Sequence, residues 1–343
     1  MDRVVKRLRV LALVYPDHVP PDSLDGFDEQ EILSWRAEYD VITCLRKARH
    51  EVLALGVQEE LQPIRDAVGS MKPHVVFNLL EEFHHNALYD HNIVSFLELM
   101  RVPYTGCNPR GLVISRDKAL GKKLLAYHRI RTPAFAVFPL GRRPRRPPKL
   151  GFPLIIKSLT EHASLGIAKA SLVHDDAELE DRVRFIHQNL DTDAIAEQFI
   201  EGRELYVSVL GNARVWSLPA WELVIEHSAP NEPLIATAKV KHDLEYQERR
   251  GVQLQAANLD EPLASHIGRL SRRIYHILEM SGYARIDYRL DAQGILWFLD
   301  ANPNPDISAS EELASAAKRA GMSYTKLLHR IMSLGRSAHG HRP

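Results

Sequence analysis

A predicted β-hairpin near the end of the chain constrains the fold more than any other stretch. Residues 283–308, YARIDYRLDAQGILWFLDANPNPDIS, contain two runs of apolar, β-favouring residues separated by an Asp-Ala-Gln-Gly turn. Whether this turn contributes two residues or four, antiparallel pairing places Arg285 opposite Asp300 and Asp287 opposite Phe298.

Residues two apart in a strand share a face of the sheet, so this pairing brings together four polar side chains: Arg285, Asp287, Asp300 and Asn302. The apolar residues fall mostly on the opposite face: Ala284, Ile286, Tyr288, Leu290, Ile295, Trp297 and Leu299. Two carboxylates and an amide oxygen are ligands that Mg²⁺ accepts, with water and phosphate oxygens completing its shell. The same stretch also fits a surface hairpin with a charge pair and an Asn-Pro turn. Taken alone, it leaves both interpretations open.

Length and composition exclude several classes of protein. A chain of 343 residues is long for one core, so we expect two or three domains. Lys plus Arg and Asp plus Glu balance at 44 each, which argues against nucleic acid or a membrane surface as the main partner. Two cysteines are too few for a disulfide framework and fit a reducing, cytoplasmic location. The apolar run at residues 10–15 predicts a buried strand, because it is too short for a signal peptide or a membrane helix.

The first third of the chain alternates strands and helices, which predicts a parallel sheet covered by helices. The predicted strands are residues 8–15, 51–56, 75–80 and 102–106, and the predicted helices are residues 29–48 and 92–100. No GxGxxG sequence follows the first strand, so a dinucleotide-binding Rossmann enzyme is disfavoured.

Two polar stretches in the first half admit a functional and an ordinary explanation. Residues 78–92 follow a strand end, where α/β proteins bind ligands, so Glu81 and Glu82 are candidates for substrate contacts. Most of that stretch equally fits an ordinary loop. The basic run at residues 141–149, GRRPRRPPK, fits an extended, solvated connector better than a nucleic-acid patch.

A nucleotide site is indicated further along. The apolar strand at residues 152–157 ends in Lys157, and a loop of small residues containing Ser164 and Gly166 follows. This arrangement suits phosphate, because loop amides and an ammonium group can converge on the same oxygens. Glu197, in a predicted strand, and Glu204, beyond a Gly turn, could contact a purine and a ribose.

The order of these features resembles the ATP-grasp superfamily and, within it, the D-alanine:D-alanine ligase branch. Five features follow one another as in that family, over roughly residues 100–333. They are Lys118, Lys157, the small-residue loop, the run EQFIEGRE, and the late hairpin with Arg-x-Asp and Asp-x-Asn. The resemblance implies an α/β ATP-grasp fold. Its expected parts are an N-terminal parallel α/β domain at 1–116, ATP-grasp subdomains at 117–199 and 200–335 that clamp ATP, and a tail at 336–343.

The resemblance also assigns roles by position. Lys118 and Lys157 would contact the α- and β-phosphates of ATP, and the loop with Ser164 and Gly166 would cover the phosphates. Glu197, Phe199 and Ile200 would surround the adenine, and Glu204 would contact the ribose. Lys239 or Lys241 would contact the γ-phosphate. Asp287, Asp300 and Asn302 would hold two Mg²⁺ ions, with Mn²⁺ as a substitute, and Arg285 would stabilise the oxyanion.

The implied reaction is ADP-forming ligation of a carboxylate to an amine through an acyl phosphate. The nucleotide residues match the family, whereas the amino-acid side departs from it. Residues 15–22 are proline-rich where the family has a glycine-rich loop, and Glu311 stands where a Ser binds the acceptor carboxylate. We therefore predict amino-acid or peptide substrates other than two D-alanines, with Glu311, or Glu81 and Glu82, facing a cationic or differently shaped amine.

Other functions stay open at this point: D-alanine:D-alanine ligation itself, an ATP-binding protein without turnover, or a nucleic-acid module that uses the basic run. The resemblance also admits a homodimer, although the sequence shows no interface.

Overall fold

A computed structural model describes residues 7–161, 167–229 and 232–339. Three sheets follow one another along the chain, as expected for a mixed α/β protein, and the first of them is parallel. The division into domains at residues 116 and 199 stays a prediction. In the described ranges no helix is long and apolar enough to cross a membrane.

The N-terminal sheet has the strand order β2-β1-β3, with β1 in the centre paired in parallel to both neighbours. Its strands are β1 (Arg9–Val14), β2 (Glu51–Gly56) and β3 (Val75–Asn78), and its helices are α1 (Glu29–Ser34), α2 (Arg36–Lys47), α3 (Gln62–Met71), α4 (Asp90–Leu99) and α5 (Pro109–Arg116). Two sequence expectations were wrong in detail. The helix predicted at 29–48 is broken at Trp35, and the strand predicted at 102–106 supplies a single bridge, from Tyr104 to Val76.

The central sheet is antiparallel, with the order β4-β7-β5-β6. Its elements are α6 (Lys118–Tyr127), β4 (Phe135–Phe138), β5 (Leu154–Ser158), β6 (Leu172–Val173), α7 (Asp176–Leu190) and β7 (Ala194–Gln198). Asp117 caps α6, because its carboxylate accepts the Leu120 amide hydrogen at 2.8 Å. This cap orients the first turn of the helix, on which Lys118 lies.

The C-terminal sheet has the order β11-β10-β8-β12-β13, and β9 pairs with β8. Its elements are β8 (Arg203–Gly211), β9 (Val215–Ser217), β10 (Trp221–Ile225), α8 (Ala238–His242), α9 (Leu244–Arg250), β11 (Val252–Ala256), α10 (Glu261–Ile277), β12 (Gly282–Leu290), β13 (Leu296–Asn302), α11 (Glu312–Arg319) and α12 (Tyr324–His339). One buried cluster contains Leu11 and Val76 of the first sheet together with Val207 and Ile286 of this one. The first and third sheets therefore share a core.

The β12–β13 hairpin forms where predicted, but with a different register. Asp291 and Ile295 pair through the Asp291 amide at 3.1 Å, which leaves a three-residue turn closed by Gly294 at φ +75°. A β-bulge follows between Asp287 and Tyr288. The expected partners of Arg285 and Asp287 were therefore wrong.

The actual cross-strand pairs are Arg285 with Asn302 and Asp287 with Asp300. The core-facing residues of β13 are Leu296, Phe298 and Ala301, instead of the expected Ile295, Trp297 and Leu299. The four polar residues nevertheless share one side of the hairpin, because the altered turn and the bulge together shift β13 by two residues relative to the expected pairing.

A partly buried histidine pair connects the N-terminal sheet to α12. His50 Nδ1 accepts the Leu8 amide hydrogen at 3.1 Å, and His50 Nε2 lies 2.9 Å from His329 Nε2. Only one proton fits between two nitrogens in contact, so the pair is held with both rings neutral. Burial lowers the pKa of both residues below 6.5, and for His50 the neighbouring His329 lowers it further.

We expect the free energy of unfolding to fall as the pH drops below about 6.5, because the unfolded chain then binds protons that the folded pair excludes. His329→Gln keeps an acceptor for His50 but cannot become charged, so its unfolding free energy should fall less between pH 7.5 and 5.5. Urea unfolding across that range measures this, with the exposed His128→Gln as the control. An equal pH dependence in wild type and His329→Gln would contradict the assignment.

Candidate active site

Eight of the sequence-predicted site residues line one cavity between the central sheet and the C-terminal sheet. They are Lys118, Lys157, Glu204, Lys241, Arg285, Asp287, Asp300 and Asn302. They come from α6, β5, β8, α8 and the β12–β13 hairpin. We call this space the charged cavity.

The remaining predicted residues have other positions. Glu197 and Ile200 are buried, and Phe199 packs with Ile155 and Ile235, which form an apolar wall of the charged cavity. Lys239 is exposed, in contrast to Lys241. Ser164 and Gly166 lie outside the described residues.

A buried ionic network supports the floor of the charged cavity. Glu197 is 1% exposed, and its two carboxylate oxygens lie 3.2 Å from Lys122 Nζ and 3.1 Å from Lys157 Nζ. Burial alone would raise the pKa of Glu197, but the two ammonium groups outweigh it and hold the pKa below its usual value. Glu197 is therefore a carboxylate, and both lysines keep a partner.

Lys122 was not recognised in the sequence. Its side chain is fully buried, its ammonium group donates to the Leu299 carbonyl, and it lies 5.1 Å from the centre of the Phe298 ring. It thus joins α6 to β13 as well as to Glu197. Its spacing of four from Lys118 was the available signal, because residues four apart lie on one face of a helix.

Lys118 lies beside the hairpin carboxylates. Its Nζ is 3.9 Å from Asp300 Oδ2 and also donates to the Glu161 carbonyl. Burial lowers the pKa of Lys118, and Asp300 offsets part of this effect. Lys118, Lys122 and Lys157 outnumber Glu197 and Asp300, so this side of the cavity is suited to an anion.

Two arginines on β12 are held by carboxylates. Arg285 donates two hydrogen bonds to Asp287, at 2.7 and 2.9 Å, and lies over the Tyr206 ring at 4.6 Å. Arg289, which the sequence did not single out, donates to Glu204 at 2.9 Å. Bidentate pairing fixes the plane of a guanidinium group, so Arg285 is oriented toward the cavity before any ligand binds.

The donor set fits Mg²⁺ together with phosphate oxygens. Asp287 and Asp300 are direct cross-strand partners, and Asn302 lies two residues beyond on the same side. In the ranges that the structure covers, no three His, Cys, Asp or Glu side chains converge as a metal site. A magnesium ion at the hairpin would therefore depend on two carboxylates, an amide oxygen and oxygens of a phosphate ligand or water.

A second cavity, of about 400 Å³, opens at the carboxyl ends of β1 and β3. Glu81 and Glu82 line it, as do Glu38 and Asp306, and we call it the acidic cavity. Glu38 and Asp306 were missed, because they lie on α2 and after β13, far from Glu81 in the sequence. Glu311 is elsewhere, exposed at the N-cap of α11.

Comparisons with known proteins agree with this geometry. Residues 130–333 match the family model for the C-terminus of D-ala D-ala ligase. A D-alanine:D-alanine ligase of Bordetella petrii is 35% identical over 247 residues, which cover 71% of each chain. The chain belongs to the D-alanine:D-alanine ligase family. The chain also resembles the uncharacterized protein y4sG of Sinorhizobium fredii, which is 32% identical to it over 76% of this chain and 74% of that protein.

The family fold is confirmed by a solved structure. The D-alanine:D-alanine ligase of Bacillus anthracis, complexed with ATP, matches with a TM-score of 0.75 and 22% identity over 97% of this chain and 99% of its own. This family member therefore has the ATP-grasp fold that the motif order predicted.

Replacing Lys122 with Met should destabilise this ligase-family chain by about 3 kcal/mol, because Glu197 and the Leu299 carbonyl lose a buried cation. Lys123→Met removes an exposed lysine from the same helix and should change the free energy of unfolding by less than about 0.5 kcal/mol. Chemical unfolding of both variants at pH 7.5 measures the difference. Equal stabilities would show that the buried network contributes nothing.

Proposed function

We propose that the protein is an ATP- and Mg²⁺-dependent carboxylate-amine ligase that acts on amino acids or short peptides and forms ADP. The observation that supports this most strongly is the convergence of two lysines with the hairpin residues on one cavity. Lys118 and Lys157 approach it from the central sheet, and Arg285, Asp287 and Asp300 from the C-terminal sheet.

In this proposal the lysines hold the phosphates of ATP. Lys118 and Lys157 neutralise non-bridging oxygens, and Lys241, on α8, adds a third positive charge beside Arg285. Mg²⁺ held by the hairpin oxygens would withdraw charge from the phosphates and so ease transfer of the γ-phosphoryl group.

The apolar wall formed by Ile155 and Ile235, with Phe199 packed against them, suits an adenine ring. Glu197 is buried, and its carboxylate is held by Lys122 and Lys157 at 3.2 and 3.1 Å. By the family resemblance, we assign Glu197 as the acceptor for the adenine amino group. Glu204, already oriented by Arg289 and by the Tyr206 hydroxyl at 2.8 Å, would accept from the ribose hydroxyls.

The chemistry requires ATP because a carboxylate does not acylate an amine unaided. Phosphorylation of the substrate carboxylate creates a leaving group, and the amine then attacks the acyl carbon. In this proposal Arg285 stabilises the oxyanion of that step, an interaction whose loss can slow a reaction on the order of 10²-fold. The acyl phosphate must be kept from water. The Ala238 amide, at the start of α8, donates to the carbonyl of Ile167, which lines the charged cavity, at 3.2 Å, and this contact supports such a closure.

A second candidate is D-alanine:D-alanine ligation itself. The name of the Bordetella petrii relative, at 35% identity, favours it. The acidic cavity and Glu311 favour another substrate pair, because neither matches the family's amino-acid residues.

The experiment that tests the proposal measures phosphate release from Mg·ATP with pools of L- and D-amino acids and short peptides, with product masses read in parallel. Release that requires an acid and an amine, with a product mass equal to both minus water, is the expected result. Asp287→Asn should abolish it, because one magnesium ligand loses its charge. The absence of release from every pool, together with no change of melting temperature on adding Mg·ATP, would refute the ligase assignment.

Lys241 and Lys239 provide a matched pair. Lys241→Ala should lower turnover by about 10²-fold, because a cation that lines the charged cavity is lost. Lys239→Ala removes an exposed lysine from the same helix, and we expect turnover within about twofold of wild type, as for a surface substitution. Steady-state phosphate release of both variants shows which lysine contacts the γ-phosphate. A larger loss of turnover in Lys239→Ala than in Lys241→Ala would assign that role to Lys239.

A further inference from the structure

The acidic cavity collects carboxylates from three separate parts of the chain. Glu38 comes from α2, Glu81 and Glu82 follow β3, and Asp306 follows β13. No Lys or Arg is among the residues that line it in the described chain. The carboxyl ends of β1 and β3 meet at this edge of the sheet, which is where α/β proteins bind ligands.

Among the described residues that line the cavity, one group can become cationic, His18. His18 Nδ1 lies 3.1 Å from Glu38 Oε1, and this contact raises the pKa of His18. Asp306 accepts hydrogen bonds from the amide and hydroxyl of Ser308, both neutral groups. Arg116, outside this lining, lowers the pKa of Glu81, but within the described lining four carboxylates face one group that can carry a positive charge.

The position of Glu81 shows the effect of this crowding. Glu81 lines the cavity and is exposed to solvent. Desolvation by the surrounding protein atoms, and after it the charges of Asp306 and Glu38, raise its pKa to about 7, while Arg116 acts in the opposite direction. Like charges kept this close disfavour ionisation, whereas a bound cation would favour it.

The acidic cavity is directly connected to the end of the β12–β13 hairpin. The Asn304 amide donates to Asn302 Oδ1 at 2.8 Å, and the Asn304 side chain reaches Glu81 at 3.5 Å. The Tyr283 hydroxyl donates to Asn304 Oδ1 at 3.2 Å. Asn302 lines the charged cavity and Asn304 lines the acidic one, so a molecule in the acidic cavity lies next to the site of phosphoryl transfer.

We propose that the acidic cavity binds an amino-acid substrate with two positive charges, an α-ammonium and a cationic side chain, as in lysine, ornithine or arginine. The inference rests on the proposed ligase function. One carboxylate suffices for an α-ammonium group, and the additional carboxylates are accounted for by a second cation. A volume of about 400 Å³ is within the range of small-molecule sites and accommodates such a side chain.

The test compares basic amino acids with alanine and glutamate, each in both enantiomers, in the assay of phosphate release from Mg·ATP. A basic amino acid should give the highest kcat/KM. Glu81→Gln and Glu82→Gln should each raise its KM by roughly 10- to 100-fold, since each loses a hydrogen bond between charged groups, and should change kcat little. The variant Glu60→Gln, an exposed carboxylate of the same domain outside the cavity, is the matched control and should behave as wild type.

Charge reversal provides a second measurement. Glu81→Lys should lower kcat/KM for the basic amino acid and raise it for glutamate, and unchanged melting temperatures with Mg·ATP would show that the variants are folded and bind nucleotide. Highest activity with D-alanine, unaffected by Glu81→Gln, would overturn the cationic-substrate inference and leave the ligase function intact. Failure of every amino acid to give a product, with no binding of Mg·ATP, would overturn both.

Discussion

The pairing of Asp287 with Asp300 across the β12–β13 hairpin is the contact on which the active site depends. Like charges directly opposite each other destabilise a sheet. Here the cost is offset by the bidentate contact of Arg285 with Asp287 and by Lys118 near Asp300. Under the proposed function this arrangement has a use, because two adjacent carboxylates on a rigid strand pair can bind a divalent cation together with a polyphosphate.

The distribution of the cores fits a site that opens and closes, as the proposed function requires. The N-terminal and C-terminal sheets share one buried cluster, so they form a common base. The central sheet has a core of its own, built around Leu154, Val183 and Ala196. One contact between the central sheet and this base is the buried network in which Lys122 joins Glu197 to the Leu299 carbonyl. A unit with its own core can move as a body, which suits an enzyme that must admit ATP and then exclude water.

The sequence predicted which residue types form the site better than how they are paired. Alternation in β12 correctly placed Arg285 and Asp287 on the same face, because it depends only on the period of a strand. The predicted register was wrong for two reasons. The turn between Asp291 and Ile295 has three residues, and a bulge follows at Asp287. Neither feature leaves a clear mark in the composition. Glu38 was beyond reach, because its place beside Glu81 is created by the fold and not by any spacing.

Under the proposed function, the two cavities hold different parts of the reaction, with ATP in the charged cavity and an amino acid in the acidic cavity. The charged cavity is built from α6, β5, β8, α8 and the hairpin. The acidic cavity is built from α1, α2, the loops after β1 and β3, Tyr283 and the segment after β13. They meet at the short segment from Asn302 to Asn304. Substitutions in the loops after β1 and β3 can therefore alter the bound amino acid without disturbing the contacts that hold ATP. The geometry that transfers phosphate is thereby separated from the surface that selects the substrate.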